Sequence, residues 1–400
     1  MDILVTATSS PKPTAVRVIL LIVGAIILWG LLSVACYFGW VRGADHRDFF
    51  PWWQASRLAL FEGYPLYTLE TTREMQTRLY GGPLKPDVDQ QEYHYPAQLS
   101  VELFPFWFIS EVHYGAAIWE GLSLMMIIGT LYLLRNTWGK APVWLIVPAI
   151  FWQYTLIMIF QAQITALPLM ALGVGFWLLL HDYSIGAGII IGLGLVKPEL
   201  ALIPTLVVLG IGLSRKNWKF LAAFLVTQLI LLGLSLGLFG WWIPGWIATV
   251  RDYNVHAQSA WAPQTAWNIS PIVAVIVVVT VIVSLALMRW KPITLFAASI
   301  PLGVLLLPQT PMWNLTILLP VLMLAWFKRG RWAVVGVWIV GWLCILGFSG
   351  PGIYGWRVQS LIIPLLTLAT VTFTSRQATT NETETESQQS LPDKPLTEAG

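Results

Sequence analysis

The side chains of this chain that can do chemistry are concentrated in one polar segment, residues 42–112. Asp45 and Asp48 lie near its start, and His94 followed by Tyr95 lies near its end. A carboxylate can act as a general base, and histidine exchanges protons near neutral pH. Carboxylates and a histidine in one segment therefore indicate catalysis or recognition.

Each of these residues also has a structural explanation. Asp48 precedes Pro51, which suits the first turn of a helix, so its carboxylate can serve as a helix cap. His94 can be an ordinary loop histidine or a hydrogen-bonded buried one. A metal site is a further alternative, although the spacing of its candidate ligands matches no known cluster: Asp45, His46, Asp48 and His94. We therefore expect no cofactor, and a divalent cation is not indicated.

Two short helices are predicted inside the polar segment. The first covers 51–62 and ends at Gly63, and the second covers 68–80 and ends before Gly81, because glycine is typical of helix ends. The apolar side chains of the first helix are expected in the outer headgroup zone of a membrane: Trp52, Trp53, Leu58 and Phe61.

The composition excludes an ordinary soluble domain. Hydrophobic residues make up 56% of the 400 residues and charged residues only 11%, against about 25% charged in a typical soluble protein. The 23 Trp residues suit the two membrane interfaces. Cys36 and Cys344 both lie in apolar runs, so no structural disulfide is expected. The chain is predicted to be an all-α polytopic membrane protein.

The apolar runs predict about 12 membrane helices, some of them short or broken. The first run is long enough to span and is expected to be retained rather than cleaved as a signal peptide. Proline breaks a helix, so Lys197-Pro198 is predicted to separate two of the runs. The predicted segments are 16–40, 114–134, 142–160, 163–181, 184–196, 199–213, 218–240, 269–288, 292–308, 312–327, 332–349 and 356–374.

Alternation of these segments assigns the connecting charges to two sides. One side receives almost only basic residues: Lys12, Arg17, Arg135, Lys140, Asp182, Arg215, Lys216, Lys219, Arg289, Lys291, Lys328, Arg329, Arg331 and Arg376. The positive-inside rule makes this side cytoplasmic, together with both termini. The polar segment then lies on the outer face of the cell membrane. Residues 376–400 are polar and lack aromatic residues, which predicts a disordered cytoplasmic tail.

The order of several short motifs resembles glycosyltransferase family 87, a family of polyprenol-phosphate-mannose-dependent mannosyltransferases. The resemblance covers about residues 15–375. It rests on Asp48-Phe49, Ala55 to Leu60, Gly63, Tyr67, His94-Tyr95-Pro96, Gln161-Ala162-Gln163-Ile164, Leu195-Val196-Lys197-Pro198, and Pro308 to Asn314 followed by Pro320.

The resemblance implies a type C glycosyltransferase with its active site at the outer membrane surface. Such enzymes transfer a sugar, here most simply mannose, from a polyprenyl-phosphate carrier to a lipid or glycan acceptor, with inversion. Asp48 matches the catalytic aspartate of the family. The membrane-embedded domain would cover 1–375, with the active site in the outer loop 42–112 and membrane lipids around it.

Further residues suit such a substrate. Lys197 is the best candidate to bind the phosphate, although a lysine there can also merely extend to the interface. The other candidate cations are Arg47, Arg57, Arg251 and Arg357. Asp45 is the fallback base, and His94 can orient the acceptor or contact the phosphate. Candidate sugar contacts are Tyr95, Trp267, Asn268, Trp313 and Asn314; for the aromatic residues a place in the interfacial belt is the alternative. Gln163 is a further candidate for substrate binding.

Two other functions remain open from the sequence. A lipid or glycan transporter or flippase would use the broken helices near Lys197 as a midplane site. A polysaccharide polymerase or ligase would use a diphosphate-linked donor and would need more basic residues on the outer side. No phosphate-binding glycine loop and no basic, aromatic-rich surface is present, so neither a nucleotide donor nor a nucleic acid is expected.

Overall fold

The computed structural model describes residues 15–44, 48–85, 88, 90–137, 140–256, 261–308, 311–326, 330–348 and 355–389. Over these residues the chain is helical and contains no β-strand, as the all-α class predicts. The α-helices there are α1 Ala15–Gly39, α2 Phe50–Arg57, α3 Leu69–Tyr80, α4 Ala97–Glu102, α5 Val112–Leu134, α6 Ile146–Ile150, α7 Gln153–Phe160, α8 Ala166–Leu180, α9 Ser184–Leu193, α10 Pro198–Ser214, α11 Trp218–Phe239, α12 Ile243–His256, α13 Ala262–Ile269, α14 Pro271–Leu287, α15 Pro292–Leu306, α16 Leu319–Leu324, α17 Arg331–Phe348 and α18 Gly355–Gln389.

Within the described ranges, four helices are long and apolar enough to cross a membrane: Ile19–Gly43, Val112–Leu134, Trp218–Phe239 and Arg357–Arg376. A fifth crossing is formed if the pair Val143–Ile150 and Gln153–Phe160, bent by 60°, counts as one span. The other predicted segments are also helical, but their apolar helices have only 10–17 residues. The chain is thus a helical membrane protein, and the expected total of about 12 spans stays a prediction.

The helices differ in how much of their surface the protein covers. α1 and α11 expose apolar side chains along their length, for example Leu21 at 70% and Leu229 at 57% exposure. In contrast, 72% of the span Arg357–Arg376 is buried by its neighbours, because α18 packs against α15 and α17. Exposed apolar helices suit lipid contact, so α1 and α11 form part of the membrane-facing surface.

The two short helices of the polar segment lie where the sequence predicts them. α2 continues as a π-helical turn, Leu58–Glu62, and ends at Gly63 with a φ of 78°. α3 ends at Gly81 with a φ of 79°, a left-handed conformation that glycine adopts without strain.

Three of the four apolar side chains of the first helix are covered by protein, and their expected position in the headgroup zone stays a prediction. Trp52, Trp53 and Leu58 are all less than 5% exposed, and only Phe61 reaches the surface. Trp52 packs edge-to-face against Trp119, with 5.4 Å between ring centroids. Trp52, Trp53 and Leu58 therefore belong to a hydrophobic core shared with Phe106 and Trp119, where aromatic contacts add to the gain from burial.

The last helix extends further than the sequence indicates. Disorder was predicted from residue 376, whereas α18 is helical as far as Gln389. Adding residues to an existing helix is easier than starting one, so a polar segment that cannot form a helix alone can continue it. Residues 390–400 lie outside the described part of the chain.

Candidate functional site

A cavity of about 300 Å³ opens where six separate parts of the chain meet. They are the start of α2, the loop before α4, the turn after α7, the junction of α9 and α10, the helix α12, and the segment around the 3-10 helix Met312–Leu318. The cavity is lined by carboxylates, amides, aromatic rings and one lysine. Such a combination of apolar walls and a few converging polar groups is typical of a small-molecule site.

The break between α9 and α10 positions the lysine. The 3-10 turn Gly194–Val196 ends α9, and Lys197 then takes φ −128° and ψ 74°, outside the helical region. Pro198 begins α10 at its first position, where its missing N–H is not needed. The predicted break at Lys197-Pro198 is confirmed, and it turns the lysine side chain toward the cavity.

Lys197 is only 4% exposed, and its ammonium group has a complete set of acceptors. Its Nζ donates to Asn314 Oδ1 at 2.8 Å, to Thr165 Oγ1 at 3.2 Å and to Gln163 Oε1 at 3.3 Å. Three ammonium protons thus meet three neutral oxygens. Because these partners carry no charge, the positive charge of Lys197 is held in place without being neutralised by them.

The turn after α7 aims the amide of Gln163 at this lysine. Ala162 has a φ of 49°, a left-handed conformation that costs an L-residue about 1 kcal/mol or more. The backbone N–H of Gln163 donates to Met158 O at 3.0 Å, which closes the end of the helix. The indole N–H of Trp119 holds the Gln163 carbonyl from the other side at 3.2 Å.

Three carboxylates line the same cavity: Asp48, Glu92 and Glu199. Asp48 and Glu199 both interact electrostatically with Lys197. Phe49, the residue before α2, already has helical backbone angles, with φ −78° and ψ −44°. The carboxylate of Asp48, one residue earlier, lies on the cavity wall, a position that is compatible with the predicted capping role.

His94 lines the cavity in a neutral state. Burial lowers the pKa of its imidazole to about 3, since its ring Nδ1 is removed from water although part of the residue stays exposed. A neutral imidazole can orient a hydroxyl group by hydrogen bonding, but it brings no positive charge to a phosphate. His94 is therefore better suited to orienting an acceptor hydroxyl group than to contacting a phosphate.

Seven of the nine predicted site residues line this cavity: Asp48, His94, Tyr95, Gln163, Lys197, Trp313 and Asn314. Asn268 does not, because it lies on the exposed surface of α13. Asp45 lies outside the described residues. Trp267, mentioned with Asn268 as a sugar contact, is 62% exposed and also lies away from the lining.

The arginines that were alternative candidates for phosphate binding do not line the described cavity wall. The guanidinium group of Arg57 donates to Trp107 O and, at 3.0 Å, to Ile109 O, so it ties α2 to the segment before α5. Arg251 and Arg357 are not among the residues that line the cavity. Arg47 lies outside the described chain. Among the described residues that line the cavity, Lys197 is the only lysine or arginine.

The proposed metal ligands cannot be assembled from what the structure describes. Within the described ranges no three His, Cys, Asp or Glu side chains are grouped as metal ligands, and Asp45 and His46 fall outside those ranges. Both cysteines, Cys36 and Cys344, are free and buried.

Sequence reasoning missed several residues of the site. Glu92, Glu199 and Trp246 line the cavity, and Thr165 accepts a hydrogen bond from Lys197. Glu199 directly follows Lys197-Pro198, so its neighbours offered a signal. Trp246 offered none, because a tryptophan in an apolar helix is usually assigned to the interface.

Comparisons of the chain with profiles of known protein families, with curated protein sequences and with solved structures found no match.

Proposed function

We propose that this protein is a membrane glycosyltransferase that transfers a hexose, most simply mannose, from a polyprenyl-phosphate carrier to a lipid or glycan acceptor. The resemblance to glycosyltransferase family 87 supports the proposal, and so does the cavity. The single observation that carries it is that Asp48 and Lys197, far apart in sequence, face one cavity with amides and aromatic rings.

The chemistry needs one base and one cation. The acceptor hydroxyl attacks the anomeric carbon, and the carboxylate of Asp48 takes its proton. The bond between that carbon and the phosphate oxygen breaks, and its electron pair stays on the phosphate. Lys197 stabilises the resulting negative charge, so a second carboxylate acting as an acid is not required. Attack from the opposite face inverts the anomeric centre.

The same proposal also predicts where the cavity lies relative to the membrane. The cavity would open at the outer face of the cell membrane, with both termini and the basic connecting segments in the cytoplasm. The short apolar helices would complete a type C glycosyltransferase fold of about 12 membrane helices. The hydrocarbon tail of the carrier would remain among lipids, next to exposed helices such as α11.

The broken helices favour one alternative, a transporter for a lipid or glycan. Transporters build midplane sites from discontinuous helices, and both the α9–α10 break and the bent α6–α7 pair have this character. A transporter would move a polyprenyl-linked sugar across the bilayer and leave its glycosidic bond intact. The test of the first proposal therefore also separates the two.

The test is transfer of label by the purified protein. It is incubated with radiolabelled polyprenyl-phosphate mannose and a lipid extract, and the products are separated by chromatography. We expect a labelled mannolipid with the wild-type protein and none with Asp48→Asn, which should keep its elution profile and melting temperature. The matched control is Asp182→Asn, an exposed aspartate after α8, which should transfer normally. Normal turnover by Asp48→Asn would remove this residue from the mechanism.

A further inference from the structure

One aromatic ring of the cavity, that of Trp246, is held by a hydrogen bond as well as by packing. The indole N–H of Trp246 on α12 donates to the backbone carbonyl of His94 at 2.9 Å. The ring also meets Trp242 edge-to-face, with 6.0 Å between centroids. Since the N–H is already bonded within the protein, what Trp246 can offer a ligand in the cavity is the carbon surface of its ring.

The helix that carries Trp246 is held in place by a second aromatic residue. Tyr67 stacks against Trp242, and its hydroxyl group donates to the carbonyl of Tyr95 at 2.7 Å. Gly245 lets the helix approach closely, since a Cβ there would lie 3.0 Å from the Cβ of Tyr67. The carbonyls of His94 and Tyr95 are thus bound by rings from two different elements, which fixes Trp246 relative to the cavity wall.

The groups around this ring suit a sugar. Carboxylates of Asp48, Glu92 and Glu199 can accept hydrogen bonds from hydroxyl groups. The electron-rich face of an aromatic ring attracts the slightly positive C–H groups on one face of a pyranose. A fixed indole face beside several carboxylates matches both the apolar and the polar surface of a hexose.

We propose that Trp246 is the surface on which the transferred sugar stacks. This inference rests on the proposed function and deepens it, because it assigns recognition of the sugar to Trp246 and recognition of the phosphate to Lys197. The competing explanation is that Trp246 only closes the cavity. In that case its removal would affect any ligand of the site, with or without a sugar.

Two ligands distinguish these explanations. Equilibrium binding to the purified, detergent-solubilised protein is measured with radiolabelled polyprenyl-phosphate mannose and with radiolabelled polyprenyl phosphate that lacks the sugar. We expect Trp246→Leu to weaken binding of the mannose-bearing lipid about tenfold and to change binding of the bare carrier less than about twofold. Trp246→Phe, which keeps a ring but loses the N–H, should fall between the wild type and Trp246→Leu.

The control variant is Trp241→Leu, which changes a tryptophan of the same segment that is 72% exposed and does not line the cavity. It should bind both lipids like the wild type. Equal weakening of both lipids by Trp246→Leu, or no weakening of either, would overturn the stacking proposal while leaving the proposed function intact. Failure of the wild-type protein to bind either lipid would instead reject the proposed function and this inference with it.

Discussion

In the described part of the chain, two ionisable side chains are buried among apolar helices, and their hydrogen-bonding surroundings differ. Lys197 has three acceptors for its three protons and faces the cavity. Glu120 on α5 is fully buried against α1, where one carboxylate oxygen accepts from the indole N–H of Trp40 at 2.7 Å. The thiol of Cys36 on α1 also interacts with this carboxyl group.

The difference shows that burial of an ionisable group is not by itself a sign of function. Glu120 does not line the cavity, and its hydrogen bond joins α5 to Trp40, the residue that follows α1. Lys197 is surrounded by a complete set of neutral partners and keeps electrostatic contact with two cavity carboxylates. We interpret Lys197 as a group prepared for an anionic ligand and Glu120 as part of the contact between α1 and α5.

The largest expected effect comes from replacing the two ionisable side chains separately. Lys197→Gln should weaken binding of polyprenyl-phosphate mannose about 30-fold, since a charge-assisted contact contributes about 2 kcal/mol. Glu120→Gln should change it less than about twofold, because Glu120 does not line the cavity. Both are measured by equilibrium binding of the labelled donor. Equal losses in the two variants would erase the distinction between the two residues.

A second experiment removes a hydrogen-bond partner from each residue. Asn314→Leu takes an acceptor from Lys197, and Trp40→Phe takes the donor from Glu120. Each should lower the free energy of unfolding by about 1–3 kcal/mol, because a buried polar group loses its partner. Thermal unfolding in detergent checks both. Asn314→Asp, which keeps an acceptor, should lose less stability; if it melts like Asn314→Leu, the bond to Lys197 does not support the fold.

His94 tests whether the cavity is as dry as its structure indicates. The pKa of His94 is lowered from 6.5 to about 3 by burial, so between these values the unfolded chain binds a proton that the folded protein does not. Stability from the neutral ring is therefore complete above pH 6.5 and is lost as the pH falls toward 3. His94→Gln should flatten the fall of the melting temperature between about pH 6.5 and pH 4.5. An identical fall in the two proteins would place His94 in water.

The smallest effect concerns the turn that aims Gln163. Ala162 is left-handed, with a φ of 49°, so Ala162→Gly should relieve strain and leave the free energy of unfolding within about 0.5 kcal/mol of the wild type. Ala171→Gly, a matched change inside α8, should lower it by about 1 kcal/mol. Melting temperatures compare the two. A loss at position 162 as large as at position 171 would show that the left-handed turn carries no strain.

The sequence predicts the helices better than it predicts their surroundings. Apolar periodicity and chain breakers are local signals, so the ends of α2 and α3 at Gly63 and Gly81 and the break at Lys197 are read correctly. Burial of Trp52 and Trp53 is not local, because it depends on Phe106 and Trp119, which come from later in the chain.

The residues of the site are likewise predictable from the sequence only where the signal is local. Polar residues in apolar surroundings, such as Gln163 and Asn314, stand out in the sequence because burying them has a cost. Thr165 does not stand out, since a threonine is common in helices and its partner Lys197 is remote. Asn268 has the right chemistry but an exposed position, and no sequence pattern separates it from Asn314.

The most direct test of the account asks whether the cavity opens outward and binds the donor there. Glu92→Cys places a thiol on the cavity wall, and the native Cys36 and Cys344 are buried at 1% and 4% exposure, so they should add little background. A maleimide that cannot cross membranes should label this variant in intact cells, more slowly when polyprenyl-phosphate mannose is added, and should not label Arg215→Cys. Labelling of position 215 but not of position 92, or a rate at position 92 that the donor leaves unchanged, would contradict the account.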